Sequence, residues 1–401
     1  MARPKKEESG EGQEVKITPQ GTLNALLKAN KEDHFNDSDE IEVPLVSSGS
    51  LILDSQLGGG FGPGLHRLVG FTEAGKSSCA LEVCRNFLKS TPNSRALIVK
   101  AEGRLSKEMR ERSGVNFVWK TEDWVEGTCF VLETNVYELV IGVMRDLVVN
   151  NPENKNKYIF VLDSMDGLIL KSDMEKPIES AGRVAGAPML TKKFMQRLAI
   201  AMNKFGHRCF MIGQVSAKVE IDPYAPKDQR QISATGGNAA LHFANFIIQF
   251  EPRYGGDLIL EDPTAKPDAV KNKIIGHWCK TIIKKSPNEH SNVPVAYPIK
   301  YGRKGGTSIW REYEIVDVLL QFQKITRTDP NKVLTPGEPP KKPGAWFYID
   351  LSLVEEIKRE VEIEIPPKFQ GMESIRLFLE EQPKVADYLF VKLRNMISGG
   401  T

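Results

Sequence analysis

The sequence predicts an α/β fold, with a mainly parallel central sheet covered by helices on both faces. Two observations carry it. Short apolar runs rich in β-branched and aromatic residues recur along the chain: "HRLVGF", "RALIVKAE", "TCFVLE", "KYIFVLDS", "HRCFMIGQ" and "FIIQFEP". Most are separated by helical stretches such as "SSCALEVCRNFLK" and "VYELVIGVMRDLVV". Buried strands that alternate with helices pair in parallel, because each crossover helix returns the chain to the same edge of the sheet.

The elements follow in order. Residues 1 to about 20 are polar and Gly-rich, a composition that cannot bury enough apolar surface to order itself. In "TLNALLKANKEDHF", Leu23, Leu26 and Leu27 share one helical face. So short a helix needs a surface to dock on, either its own domain or a neighbouring subunit. The alternating pattern begins near Val46. "TRTDPNKVLTPGEPPKKPG" is rich in Pro and Lys and reads as a linker. A small α/β unit follows, "GAWFYI" and then "MESIRLFLEEQPKVADYLFVKLRNMI". The expected organisation is a tail and helix (1–44), an α/β core (45–328), a linker (329–342) and a small C-terminal domain (343–401).

Composition excludes some classes. The 401 residues are 40% hydrophobic and 26% charged, as in an ordinary globular protein, and the net charge of +2 names no partner. The five cysteines form no CxxC pair or Cys/His cluster and read as reduced core thiols of a cytosolic protein. No stretch approaches the roughly 18 apolar residues of a membrane span. The N-terminus "MARPKKEESGEGQE" lacks an apolar signal core, so no export is expected.

One loop carries chemistry. "GFTEAGKSS" sits between a strand and a helix and contains Gly70-x-x-x-x-Gly75-Lys76-Ser77. Its glycines let successive N–H groups turn inward around phosphate oxygens, and the helix adds its positive N-terminal end. The loop residues Gly70, Phe71, Thr72, Glu73, Ala74, Gly75, Lys76, Ser77 and Ser78 are therefore expected to hold a nucleoside triphosphate, with Lys76 on the phosphates and Ser77 on Mg²⁺. "YIFVLDS" ends a strand with Asp163, where the Mg²⁺ shell needs an acid. Glu102 ends "LIVKAE" at the same sheet edge and reads as a general base or as a solvated strand end. Gln214 ends "CFMIGQ" and reads as a γ-phosphate contact or a turn residue.

With these motifs in place the sequence resembles the RecA recombinases, including the phage UvsX branch. The resemblance rests on "SSGSLILDSQLGGGFGPGLHRLVGFTEAGKSS", "VLDS", "MIGQVSAK", "TGGNAALHFANFIIQF" and "GRKGG", in family order over about residues 45 to 325. The C-terminal run resembles the family's small domain more loosely, and the N-terminal helix resembles the polymerisation helix of the UvsX branch. The resemblance implies an ATP- and Mg²⁺-dependent helical filament on single-stranded DNA that pairs it with homologous double-stranded DNA and exchanges strands. Mediator and single-strand-binding proteins would be further partners, in the cytoplasm of a bacterium or a phage-infected host. It gives Glu102 the activation of water, Asp163 the support of Mg²⁺ and Gln214 the sensing of the γ-phosphate. It also assigns Lys284 and Lys285 of "TIIKKS" to a neighbouring subunit's ATP. Two axial loops, within "KSDMEKPIESAGRVAGAP" and "VSAKVEIDPYAPKDQRQISATGGN", would meet DNA. Arg183, Val184, Lys218, Gly236, Gly237 and Asn238 lie in them, with Lys192, Lys193 and Arg197 on the helix between.

The chain departs from the family at Met109, where the family often stacks a Tyr on adenine; a Met sulfur can also pack on a ring. It ends "NMISGGT" without the acidic tail that restrains DNA access in many bacterial members. Three other readings use the same loop: a ring-shaped DNA helicase, an ATP-switched DNA scaffold with negligible turnover, and a small-molecule kinase.

Overall fold

The computed structural model describes residues 18–29, 43–103, 105–175, 186–217, 232–234, 242–262, 264–268, 270–329 and 345–398. The chain forms two compact units, residues 1–40 and 41–401. In the first, α1 (Pro19–Ala29) carries Leu23 and Leu26, each 57% exposed.

The second unit begins with α2 (Leu51–Gln56) and β1 (Gly64–Gly70), followed by α3 (Lys76–Ser90), β2 (Ser94–Lys100), α4 (Lys107–Ser113), β3 (Phe117–Val118) and β4 (Cys129–Leu132). Next come α5 (Tyr137–Val149), β5 (Lys157–Asp163), α6 (Lys171–Met174), α7 (Gly186–Lys204), β6 (Arg208–Ala217) and β7 (Ile232–Ala234). The core closes with β8 (Phe246–Phe250), β9 (Leu258–Leu260), β10 (Ile274–Lys285), β11 (Val293–Lys300) and α8 (Arg311–Gln321).

These strands make one 11-stranded sheet in the order β11-β10-β8-β1-β6-β5-β2-β4-β3, with β7 beside β6 and β9 beside β10. The strands from β8 to β3 in that order run parallel, as the alternation of apolar runs and helices predicts. The β10–β11 hairpin continues the sheet antiparallel beyond β8. Every residue of β1 is buried, His66 and Arg67 included, so the strand shows no alternation between a buried and an exposed face. Helix α3 buries Ala80, Val83, Cys84 and Phe87 along one stripe. In the same core cluster, Phe61 meets Phe210 and Phe246 edge-on at 4.9 and 5.7 Å between ring centroids. All five cysteines are buried and unpaired.

The C-terminal part holds a three-stranded antiparallel sheet, β12 (Ile325–Thr326), β13 (Trp346–Ile349) and β14 (Lys368–Gln370). Helices α9 (Leu351–Val361), α10 (Met372–Glu381) and α11 (Pro383–Ile397) cover it. The long helical run that opens at Met372 is broken at Pro383, which starts α11 at its first turn, where a missing N–H costs nothing. Strand β12 comes from before the Pro/Lys-rich stretch, and one apolar cluster joins Leu51 and Ile315 to Phe347, Ile357 and Leu389. Residues 330–344, most of the expected linker, lie outside the described residues.

Candidate nucleotide site

Parallel strands in register place the ends of β1, β2, β5 and β6 at one edge: Gly70 pairs with Gln214, and Lys100 pairs with Asp163. The loop after β1 lies on this edge, outside the carboxyl ends of the strands, where open α/β sheets bind ligands. Gly70 must be glycine, because a Cβ there would sit 2.4 Å from the Phe250 carbonyl oxygen. Gly75, at φ 106°, occupies the left-handed region and turns the chain into α3. Phe71 packs against the core, Thr72 and Glu73 are exposed, and Ala74 is buried.

Lys76 is buried and donates to the carbonyls of Gly70 and Phe71 at 2.9 and 2.5 Å. Burial pulls its pKa down, and the nearby charges of Asp163, Asp166 and Glu102 act the other way. A lysine in this field is a strong partner for phosphate oxygens, since little water competes for it.

The carboxylates are held individually. Asp163 Oδ2 accepts from Ser77 Oγ at 3.2 Å and from Lys100 Nζ at 2.6 Å. Ser164, joined to Asp163 by a cis peptide, donates its hydroxyl to Glu102 Oε1 at 2.7 Å. Gly167 lies so close to Glu102 that a Cβ there would be 2.6 Å from its Cγ, so the acid rests against backbone. Asp166 accepts the backbone N–H of Gln214 at 2.7 Å, which ties the strand-end glutamine to the acidic cluster. Ser77 and Asp163 offer oxygen donors that suit Mg²⁺, a hard cation commonly bound through one or two carboxylates plus substrate phosphates.

A cleft of about 680 Å³ opens beside the loop, lined by residues 73–78 together with Met109, Arg112, Arg253, His277 and Tyr301. Arg112 donates to Ser78 Oγ at 3.1 Å, and Arg253 bridges the Glu73 carbonyl and the Tyr301 hydroxyl at 3.4 and 3.2 Å. Burial beside Arg253 and Arg112 lowers the His277 pKa to about 4, against the pull of Asp257, so its imidazole is neutral at pH 7.

Lys284 and Lys285 are not brought to this cleft. Thr281 pairs with Phe250 at the loop's edge, whereas Lys285 pairs with Ile247 and donates to the His242 carbonyl. At about 3.3 Å per residue the two lysines lie on the order of 10 Å down the sheet, toward the opposite ends of the strands. Lys192, Lys193 and Arg197 are exposed on α7, whose Phe194, Met195 and Leu198 face the core. Arg183, Val184, Lys218, Gly236, Gly237 and Asn238 lie outside the described residues.

No protein-family model matches the chain. Whole curated proteins do. A RecA protein of Solidesulfovibrio magneticus is 23% identical over 362 residues, 90% of this chain and 84% of its own length. That of Dichelobacter nodosus is 24% identical over 366 residues, again 90% and 84%. That of Macrococcus caseolyticus is 23% identical over 397 residues, 95% and 92%. The chain is similar to RecA proteins along nearly the whole length of both partners, and not only through its phosphate loop.

Several residues around the site carry little or no signal in the sequence. Arg112 and Arg253 are 34 and 180 residues from their loop partners and carry no local signature. Ser164 had a signal, since it follows the strand-end Asp163 directly. Lys100 had one too: it stands two residues before Glu102 at the end of an extended run, and alternation puts both on one side.

Proposed function

We propose that this protein is an ATP-dependent homologous recombinase that assembles as helical filaments on single-stranded DNA and exchanges its strand with homologous double-stranded DNA. The single observation that carries the reading is the convergence of Lys76, Ser77, Asp163 and Glu102 at one sheet edge in a RecA relative. Lys76 holds the β- and γ-phosphates. Ser77 and Asp163 hold Mg²⁺, which when bound neutralises phosphate charge. Glu102, oriented by Ser164, takes the proton of the attacking water, and Gln214 reports the γ-phosphate through the strand-end contact with Asp166. Met109, with Arg112 and Arg253, lines the cleft and is assigned to the base and sugar.

Lys284 and Lys285 sit too far from their own loop to serve it, which supports their action on a neighbour's nucleotide. In this reading α1 docks on a neighbouring subunit through Leu23 and Leu26, and the cations of α7 face DNA. The protein works in the cytoplasm. DNA-stimulated ATP hydrolysis and strand exchange test the proposal together. Lys76→Ala is expected to lower hydrolysis about 10²–10³-fold, the scale of losing one preorganised donor, with the fold intact. Hydrolysis within a few-fold of the parent would overturn the assignment.

A further inference from the structure

The carboxylate oxygen that faces Ser77 is already engaged by a cation of the chain itself. Lys100 and Asp163 are register partners on adjacent parallel strands, so their side chains emerge side by side at the sheet edge. The ammonium lies 2.6 Å from Asp163 Oδ2, and the same oxygen is 3.2 Å from Ser77 Oγ. Both side chains are shielded, 9% and 14% exposed, so their charges attract strongly. A divalent cation drawn to Ser77 and Asp163 would meet this ammonium on the same oxygen.

The charges around the site make the contact consequential. Lys76 feels the fields of Asp163, Asp166 and Glu102 together, so three acids gather near the loop. Such a cluster invites stray divalent ions, whose affinity rises with the number of ligand charges. Lys100 cancels one of those charges at the oxygen nearest Ser77.

We propose that Lys100 is a built-in counter-ion that keeps free divalent cations off Asp163 until a nucleotide brings its own phosphate charge. Metal and triphosphate then enter together, because phosphate oxygens supply the negative charge that lets the metal compete with the ammonium. Lys100 is thus a positioning residue that makes metal binding depend on nucleotide. The proposal rests on the assignment of Ser77 and Asp163 to the metal given above.

The test is Mn²⁺ binding to the full chain without nucleotide, read by electron paramagnetic resonance. Lys100→Met is expected to bind Mn²⁺ about tenfold or more tightly than the parent, in keeping with one added uncompensated ligand charge. Lys100→Arg is expected to match the parent. Adding Asp163→Asn to Lys100→Met is expected to abolish the gain. Lys100→Gln removes the charge while leaving a polar side chain beside Asp163, and gives the same reading if the Met variant does not fold. Parental Mn²⁺ affinity in a folded, uncharged variant would overturn the proposal, as would a gain that survives Asp163→Asn. Fluorescent-nucleotide binding to Lys76→Ala separates the two ideas. Parental binding there removes the nucleotide-site assignment itself, whereas its loss alongside unchanged Mn²⁺ affinities removes only the role of Lys100.

Discussion

Glu102 is the residue on which turnover depends in this account. Its Oε1 accepts from Ser164, and its Cγ lies against Gly167, so the carboxylate is aimed and not free to sweep the cleft. Glu102→Gln keeps the size and the hydrogen bond but cannot take a proton. Hydrolysis is expected to fall about 10²–10⁴-fold, the usual contribution of a general base, while ATP still binds and DNA complexes live longer. Single-turnover hydrolysis and nucleotide binding on one preparation check this, and unchanged hydrolysis would return Glu102 to a solvated strand end. The residues that could be read from the sequence are those whose chemistry is local. Gly70 through Ser78 are contiguous in the chain, from the end of β1 into the first turn of α3, and Asp163 ends an unmistakable buried strand. Arg253 could not be read, because its meeting with Glu73 is made by the sheet order and not by any neighbour in the chain.

At the scale of elements, α7 divides into a core face and a cationic face. If the exposed lysines touch DNA phosphates, Lys192→Ala with Lys193→Ala should weaken single-stranded DNA binding alike on all sequences. It should also shrink the magnitude of the log-affinity against log-salt slope by about 1.4, since each phosphate contact releases about 0.7 counterion. An unchanged slope would leave the pair on a solvated face.

Helix α2 makes a different expectation. Its first turn is met by Glu314 of α8, which accepts from Ser50 Oγ and, at 2.8 Å, from the Leu51 N–H. Burial pushes the Glu314 pKa up to about 8, with Asp54 adding to the rise and the hydrogen bonds opposing it. The folded chain therefore holds this proton more tightly than the unfolded chain does. Its contribution to stability is full below about pH 4.5 and is lost as pH climbs toward 8. Glu314→Gln imitates the protonated acid, so melting curves should flatten over that interval and the variant should melt a few degrees above the parent at pH 8. A parallel pH dependence in both proteins would contradict the assignment. Nothing in "REYEIVDVLL" marks Glu314 as buried, because its partner helix lies more than 260 residues earlier in the chain, |i−j| being 263 for the Leu51 contact. The parallel strands and the helices between them were legible for the opposite reason: each is a local periodicity. The β10–β11 hairpin, the joining of β12 to the small sheet and the helix break at Pro383 depend on pairing partners or boundaries that periodicity does not encode.

For the whole molecule, the site points outward. Within one chain the described cleft gathers Lys76, Arg112 and Arg253, while Lys284 and Lys285 stand toward the far end of the same sheet. Helix α1 presents Leu23 and Leu26 to its surroundings. If those lysines serve a copy's nucleotide, as proposed, the site is completed by meeting that copy, and a repeated head-to-tail meeting generates a ring or a helix according to whether the rotation closes. The recombinase reading proposed above calls for the open helix. Electron microscopy of the protein with single-stranded DNA and a non-hydrolysable ATP analogue tests this most directly. Continuous helical filaments that require both the nucleotide and DNA, and that are absent with Lys76→Ala, are the expected result. Closed rings around DNA, or particles that stay single under those conditions, would contradict it.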